Sequence, residues 1–219
     1  MRFDNYELKD YIVKAIQDIG FKEFTPIQKN VLDSLNNNKN ILAKSKTGSG
    51  KTHAFLIPIF QELNEDKYEA FATIISPTKE LAMQTYKMAQ QIASFCGKRI
   101  DIKLYCGGTD RLKEIEKLKN STPQIIIGTP GKIKDLAVDE NVLKIYTSKY
   151  LIVDEMDMTL DGGYEEDLDV ISQILKDSKM MFFSATMEEK ILHFAKKYLS
   201  NPEIIDIKNT NDTKIQHIW

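Results

Sequence analysis

Residues 45–52 read SKTGSGKT and follow the short apolar stretch NILA at 40–43. They nearly match the pattern G-x-x-x-x-G-K-[ST], in which a glycine-rich loop presents backbone N–H groups to phosphates. The final Gly-Lys-Thr fits, whereas Ser45 occupies the position of the first glycine. Together with the strand-like stretch before it, the segment predicts a phosphate-binding loop in an α/β fold.

The residues after the glycines support this interpretation. The segment KTHAFLIPIF at 51–60 is typical of the start of a helix, so backbone amides and a helix N-terminus would face the anion. Lys51 would place a positive charge on the β- and γ-phosphates, and Thr52 would offer a hydroxyl to Mg²⁺. The alternative is a flexible Ser/Gly turn that contains Lys-Thr by chance.

Such a site also requires a carboxylate side chain that holds the metal ion, and the segment YLIVDEMD at 150–157 supplies one. Asp154 follows four apolar residues, so its carboxylate would emerge at the carboxyl end of a strand, the ligand side of an open parallel sheet. We expect Asp154 to hold Mg²⁺ through water and Glu155 to orient and deprotonate the attacking water. Alone, the segment is equally compatible with an acidic turn that solvates a strand end.

The rest of the chain alternates short apolar runs with amphipathic stretches. Strands are predicted at 40–43, 71–76, 100–106, 124–128, 150–154, 180–184 and 203–207, and helices at 79–95 and 188–199. This alternation predicts an α/β fold with a mostly parallel central sheet and helices on both faces. The polar segment 208–214 is predicted to be a linker.

Charge, cysteine content and hydrophobicity limit the binding partners and the cellular location that we expect. The 219 residues carry a net charge of −2, so nucleic-acid binding would depend on a local patch. Cys96 and Cys106 lack metal-ligand spacing; a disulfide stays open, although a reducing cytosol is favoured. The N-terminal residues have no signal-peptide pattern, and the apolar run at 54–60 is too short to span a bilayer. We expect a cytoplasmic protein without a membrane segment.

The chain resembles the DEAD-box RNA helicases, and specifically their first RecA-like, P-loop NTPase domain. The motifs that carry the resemblance follow in the family's order: GFKEFTPIQ (20–28), SKTGSGKT (45–52), PTKELAMQ (77–84), GG (107–108), TPGK (129–132), DEMD (154–157) and SAT (184–186). In the family's loop a small residue replaces the first glycine, which accounts for Ser45.

The resemblance implies a set of ATP-binding residues: Phe3, Thr25, Gln28, Ser45, Lys46, Thr47, Gly48, Ser49, Gly50, Lys51 and Thr52. Within it, Gln28 would contact the adenine edge, Thr25 would support that loop, and Phe3 would stack on the base. Phe3 could instead form an N-terminal hydrophobic staple. Lys51, Asp154 and Glu155 would be catalytic, and Thr52 and Asp154 would hold Mg²⁺.

The resemblance also implies an RNA-facing set: Pro77, Thr78, Lys79, Gly108, Thr129, Pro130, Gly131 and Lys132. These residues would bind the sugar-phosphate backbone without reading sequence. Taken alone, TPGK at 129–132 is also typical of a helix N-terminus with proline in its first turn. Asp157, Ser184 and Thr186 would couple the ATP state to RNA binding through hydrogen bonds to the acidic motif.

Some positions depart from the family pattern. Phe24 replaces a proline, and Met156 replaces the alanine of D-E-A-D at a position that we expect to be packed. Lys79 and Lys132 replace arginines, which keeps the charge but removes the planar, bidentate fork. Contacts built on that fork are therefore in question, whereas neutralisation of phosphate is not.

The resemblance predicts a helicase ATP-binding domain over 1–207, and over 208–219 a linker and the start of a second RecA-like domain. The predicted function is RNA-dependent ATP hydrolysis coupled to the separation of short duplexes, with ATP and Mg²⁺ as cofactors. Two alternatives stay open: an ATP-dependent RNA clamp with little turnover, and a related helicase that acts on DNA.

Overall fold

A computed structural model of the chain describes residues 6–37, 39–46, 48–208 and 212–216, with only the backbone described for 208 and 212–216. Phe3 and Thr47, both predicted to bind ATP, lie outside the described residues. One eight-stranded sheet organises the described part, in the order β3-β4-β2-β5-β6-β1-β7-β8. The strands are β1 Ile41–Lys44, β2 Ala72–Ile75, β3 Ile102–Tyr105, β4 Ile125–Gly128, β5 Tyr150–Val153, β6 Lys179–Ser184, β7 Glu203–Lys208 and β8 Asp212–Gln216.

Strands β1 to β7 are parallel, and β8 alone runs antiparallel, to β7. Every predicted strand is confirmed, with shifts only at the ends. The helices are α1 Asp10–Asp18, α2 Pro26–Asn36, α3 Lys51–Glu62, α4 Lys79–Ala93, α5 Arg111–Asn120, α6 Pro130–Lys134, α7 Met156–Asp161, α8 Glu165–Ile174 and α9 Glu189–Tyr198. The two predicted helices correspond to α4 and α9. A π-helical turn at Asp135–Asp139 continues α6, and a 3₁₀ turn at Ile145–Thr147 precedes β5.

Helices cover both faces of the sheet, as predicted. Side chains of α1 to α4 pack in one core cluster with alternate strand residues such as Ile152, whereas α5 to α9 pack in a second cluster with Leu151 and Val153. All four residues of β5 are fully buried. Because a strand covered on both sides has no polar face, its sequence is a continuous apolar run, which explains why these strands were recognisable.

The parallel strands bring the motifs together. The phosphate loop follows β1, and the segments beginning at Ser76, Cys106, Thr129 and Asp154 follow β2, β3, β4 and β5. The Ser-Ala-Thr segment lies at the end of β6. Since the carboxyl ends of parallel strands share one edge of the sheet, all these segments lie at that edge, where open α/β sheets bind ligands.

The linker predicted over 208–214 is wrong in part. Lys208 ends β7, and β8 begins at Asp212 and pairs with β7 in an antiparallel register. The physical reason is that β7 would otherwise leave a row of unpaired backbone N–H and C=O groups at the sheet edge. The domain boundary at 207 and the start of a further domain stay predictions.

Cys96 and Cys106 are free thiols. In the described part of the chain, no helix combines the length and the apolar character that a bilayer span requires.

Candidate functional site

The loop after β1 closes onto the helix α3 as the phosphate-binding pattern predicts. Gly48 and Gly50 have φ values of 81° and 92°, in the left-handed region, and Gly50 is the N-cap of α3. Ser45 is buried; its hydroxyl accepts a hydrogen bond from the Ser49 hydroxyl at 3.1 Å, and its backbone N–H donates to the Ser184 carbonyl at 3.0 Å. Ser45 therefore supports the loop from inside, while Lys46 is exposed.

Lys51 and Glu155 form a buried ion pair across the site. The Lys51 Nζ lies 2.6 Å from the Glu155 Oε1, and the two side chains are 6% and 9% exposed. Either charge alone would be costly to bury, and the pair offsets that cost. Two of the predicted catalytic residues, 104 positions apart in sequence, are thus in direct contact.

Asp154 lies next to this pair at the end of β5. Its Oδ1 accepts a hydrogen bond from the Glu155 backbone N–H at 3.0 Å. Burial raises the pKa of the Asp154 carboxyl to about 6; the Lys51 ammonium opposes this rise and the Glu155 carboxylate adds to it. A desolvated carboxylate of this kind gains from a nearby cation.

Glu155 has an unusual backbone conformation, with φ 47° and ψ 55°. For a residue with a Cβ, this left-handed conformation costs about 1–3 kcal/mol, and such strain is concentrated at functional sites. Here it accompanies the start of α7 at Met156, which is fully buried in the core as predicted.

A cavity of about 340 Å³ opens over these groups. Six residues of the predicted site line it: Gly48, Gly50, Lys51, Thr52, Asp154 and Glu155. Thr52 and Asp154 offer hard oxygen donors that suit Mg²⁺. The described residues contain no group of three or more His, Cys, Asp or Glu side chains that could hold a metal ion.

The cavity also contains residues that the sequence analysis missed, among them Phe21, Gln84, Thr85 and His53. His53 is buried, its ring packs edge-on against Phe21 at 5.0 Å, and burial lowers its pKa. Within the described residues its Nε2 has no hydrogen-bond partner. The one available signal was a histidine directly after Thr52, in the first turn of α3.

Gln28 ties the start of α2 to the phosphate loop. The side chain is fully buried; its Oε1 accepts from the Thr25 N–H at 3.0 Å and its Nε2 donates to the Gly50 carbonyl at 3.2 Å. A Cβ at Gly50 would lie 2.7 Å from that Nε2. The adenine contact of Gln28 stays a prediction; the two bonds leave the amide one N–H and one oxygen lone pair for a further partner.

The acidic motif and the end of β6 are linked, but not by the predicted hydroxyls. The Asp157 Oδ2 accepts a hydrogen bond from the Ala185 backbone N–H at 3.1 Å. The Ser184 hydroxyl accepts from the Thr186 N–H at 3.3 Å, and the Thr186 hydroxyl is buried with no partner in the described part of the chain. A backbone amide, which leaves no signature in the sequence, links Asp157 to this segment. The coupling role of Asp157, Ser184 and Thr186 stays a prediction.

The predicted RNA-facing loops lie side by side because β3, β4 and β2 are neighbours in the sheet. Pro77 is buried, and Thr78 caps α4 by accepting from the Leu81 N–H at 3.3 Å. Lys79 is exposed, and its Nζ would lie 3.9 Å from a Cβ at Gly108.

The loop after β4 has the helix-start geometry that its sequence predicts. Thr129 occupies the N-cap position of α6 without a side-chain capping bond, and Pro130 lies in the first turn. Gly131 lies where a Cβ would be 3.2 Å from the Asp167 Oδ2. Lys132 points inward: its side chain is only 10% exposed and its Nζ lies 2.8 Å from the Glu114 Oε2. The two lysines that replace family arginines therefore occupy opposite environments.

Comparison with known proteins agrees with this arrangement. A family model described as DEAD/DEAH box helicase matches residues 25–194. The chain is 39% identical over 221 residues to the DEAD-box ATP-dependent RNA helicase CshB of Bacillus subtilis, covering 99% of this chain and 50% of the relative. It is 38% identical over 211 residues to the probable ATP-dependent RNA helicase MJ0669 of Methanocaldococcus jannaschii, covering 95% and 56%.

Solved structures show the same similarity. A DEAD box protein from the hyperthermophile Methanococcus jannaschii superimposes with a TM-score of 0.87 at 37% identity, over 95% of this chain and 56% of that one. A Dbp5 variant from S. cerevisiae, bound to Gle1 and IP6, gives a TM-score of 0.84 at 28% identity, over 95% and 52%. The chain spans about half the length of the curated relatives it matches.

Proposed function

Because the chain belongs to the DEAD/DEAH box helicase family, we propose that it is the ATP-binding, first RecA-like domain of a cytoplasmic RNA helicase. The whole protein would hydrolyse ATP in an RNA-dependent manner and separate short RNA duplexes. The observation that carries the proposal is the buried Lys51–Glu155 pair beside Asp154, facing a cavity that the phosphate loop lines.

The ion pair supports a specific sequence of events at this chain's own residues. When the phosphates of ATP enter, Lys51 exchanges the Glu155 carboxylate for phosphate oxygens. Glu155 is then free to orient the attacking water and to accept its proton. Thr52 and Asp154 would hold Mg²⁺, which when bound neutralises charge on the phosphates.

Base recognition would come from the segment before the loop. Phe3 would stack on adenine, and Gln28 would contact the base edge with support from Thr25. The hydrogen bond from Gln28 to the Gly50 carbonyl supports this proposal, because it links a base-contacting side chain directly to the phosphate loop.

RNA would bind at the three neighbouring loops that follow β2, β3 and β4. Its contacts would be Pro77, Thr78, Lys79, Gly108, Thr129, Pro130 and Gly131, through backbone amides, hydroxyls and one lysine, without sequence preference. The second face of the RNA cleft, and the arginines that stabilise the transition state, would come from a second RecA-like domain of the same protein.

The experiment compares ATP hydrolysis by residues 1–219 and by the full-length protein, each with and without single-stranded RNA. An arginine finger contributes about 10³- to 10⁵-fold in P-loop enzymes. We therefore expect slow, RNA-independent turnover in the fragment and RNA-stimulated turnover in the full-length protein. RNA stimulation of the fragment to the full-length rate would refute the two-domain mechanism, and a full-length protein that grips RNA with ATP but barely turns over would favour the clamp.

A further inference from the structure

Lys132 is engaged by carboxylates of its own domain. In addition to the Glu114 Oε2 at 2.8 Å, its Nζ lies 3.8 Å from the Asp135 Oδ2. Glu114 belongs to α5 and is itself 16% exposed, so both partners of the closer pair are largely withdrawn from water. Lys79, in contrast, is exposed.

A second ion pair runs beside the first. Arg111, at the start of α5, donates to both Asp135 oxygens, from Nε at 3.0 Å and from Nη2 at 2.7 Å, and it also contacts Glu140. The α5 helix therefore contributes one cation and one anion at positions 111 and 114. Lys132 of α6 contributes a cation, and Asp135, at the start of the π-helical turn that follows α6, contributes an anion. The two segments are therefore linked by complementary charges.

These cross-links join two of the loops proposed to contact RNA. The α5 helix begins three residues after Gly108, and α6 begins directly after Thr129. The network contains two cations, Arg111 and Lys132, against three carboxylates, Glu114, Asp135 and Glu140. It offers no surplus positive charge to a phosphate, and moving Lys132 to RNA would leave the Glu114 carboxylate largely buried without its partner.

We propose that Lys132 is a positioning residue: paired with Glu114, it fixes the Gly107–Gly108 loop against the Thr129–Gly131 loop and does not contact RNA itself. This inference rests on the proposed RNA-binding function, and it revises the phosphate contact that the sequence predicts for Lys132. It assigns α5, through Arg111 and Glu114, a part in shaping the RNA surface.

The test uses the full-length protein with Lys132→Met, Glu114→Gln and the double variant, and Lys79→Ala as the control for a direct phosphate contact. The affinity for single-stranded RNA is measured at several salt concentrations in the presence of a non-hydrolysable ATP analogue. We expect Lys132→Met to weaken binding about tenfold, because it leaves Glu114 buried and unpaired. Adding Glu114→Gln should recover most of that loss.

The salt dependence separates positioning from contact. Each lost phosphate contact lowers the slope of log K against log salt by about 0.7 for a single strand. We expect this decrease for Lys79→Ala and an unchanged slope for Lys132→Met and the double variant. Melting temperatures and ATP-analogue affinity, measured in parallel, show that each variant is folded.

Three results would overturn the inference. If the double variant binds RNA as weakly as Lys132→Met, and both lose about 0.7 in slope, Lys132 contacts phosphate directly. If the wild-type protein binds no RNA, the proposed function fails and this inference fails with it. If the wild-type protein binds RNA but the double variant does not recover RNA affinity, this inference is refuted and the proposed function stands.

Discussion

Replacing Lys51 and replacing Glu155 should produce different defects, because we propose that Lys51 binds phosphate and that Glu155 activates water. Lys51→Ala removes the positive charge that phosphates require and leaves the Glu155 carboxylate buried. Breaking a buried pair in this way costs about 3–5 kcal/mol of folding free energy, so we expect both weak ATP binding and a lower melting temperature. Glu155→Gln keeps the shape of the side chain, and its amide oxygen can still accept from Lys51.

The Glu155→Gln variant should bind ATP at least as tightly as the wild type, because no carboxylate competes with phosphate for Lys51. It should hydrolyse ATP about 10²- to 10⁴-fold more slowly, the usual contribution of a general base. At about 1.36 kcal/mol per tenfold, that loss is roughly 3–5 kcal/mol of activation free energy.

Calorimetric titration with ATP and single-turnover hydrolysis with saturating RNA, on the full-length protein, measure the two defects. Glu62→Gln is a control at another ion pair: its carboxylate pairs with Lys149 at the amino-terminal end of β5, and Glu62 does not line the cavity. The reasoning is refuted if Glu155→Gln loses ATP affinity as Lys51→Ala does, or if its hydrolysis stays within about tenfold of the wild type.

Three further changes test other parts of the site. The domain should bind ADP more tightly than GDP, and Gln28→Ala should reduce that preference; equal affinities for ADP and GDP in fluorescence titrations would contradict the adenine assignment. Gly50→Ala should lower the melting temperature and ATP affinity, because a Cβ there meets the Gln28 amide at 2.7 Å and φ is 92°, whereas Gly97→Ala, with nothing within 4 Å, should change neither. The pKa of Asp154 is raised from 3.8 to about 6, so between these pH values the folded, nucleotide-free domain holds a proton that the unfolded chain has released. Proton binding therefore stabilises the folded domain at low pH, and this contribution is lost as pH rises through about 6. Asp154→Asn should thus gain up to about 3 kcal/mol in unfolding free energy relative to the wild type between pH 4 and pH 7, and a pH-independent difference in chelator-treated denaturation curves would count against it.

Much of the fold could be predicted from the sequence because the central strands are buried on both faces. Tyr150–Val153 is a continuous apolar run for that reason, and Asp154 directly after it marks the edge where ligands bind. The same logic located the loop after β1. The sequence pattern did not predict that Asp212–Gln216 pairs with β7. Pairing at an edge strand depends on backbone N–H and C=O groups, which are not specific to any residue type.

The candidate site was less predictable where side chains with the same chemistry have different surroundings. Lys79 and Lys132 both replace family arginines, yet one is exposed and the other lies against Glu114. Their difference arises from the ion pair that the fold forms between Lys132 of α6 and Glu114 of α5, which no local spacing encodes. The Ala185 amide and the unpartnered Nε2 of His53 were missed for the same reason: a backbone donor has no sequence signature, and burial is a property of the fold.

Hydrogen bonds to the backbone of the phosphate loop connect it to Gln28 on one side and to the end of β6 on the other. On one side the Gly50 carbonyl is held by Gln28, and on the other the Ser45 N–H is held by the Ser184 carbonyl at the end of β6. The next residue, Ala185, donates to Asp157 of the acidic motif. A shift of the loop on phosphate would therefore displace either the Gln28 amide or the strand end that positions Asp157. Gln28, the phosphate loop and the acidic motif are therefore linked by one chain of hydrogen bonds. In the proposed function, the exchange of Lys51 between Glu155 and phosphate is the event that we expect to move this chain.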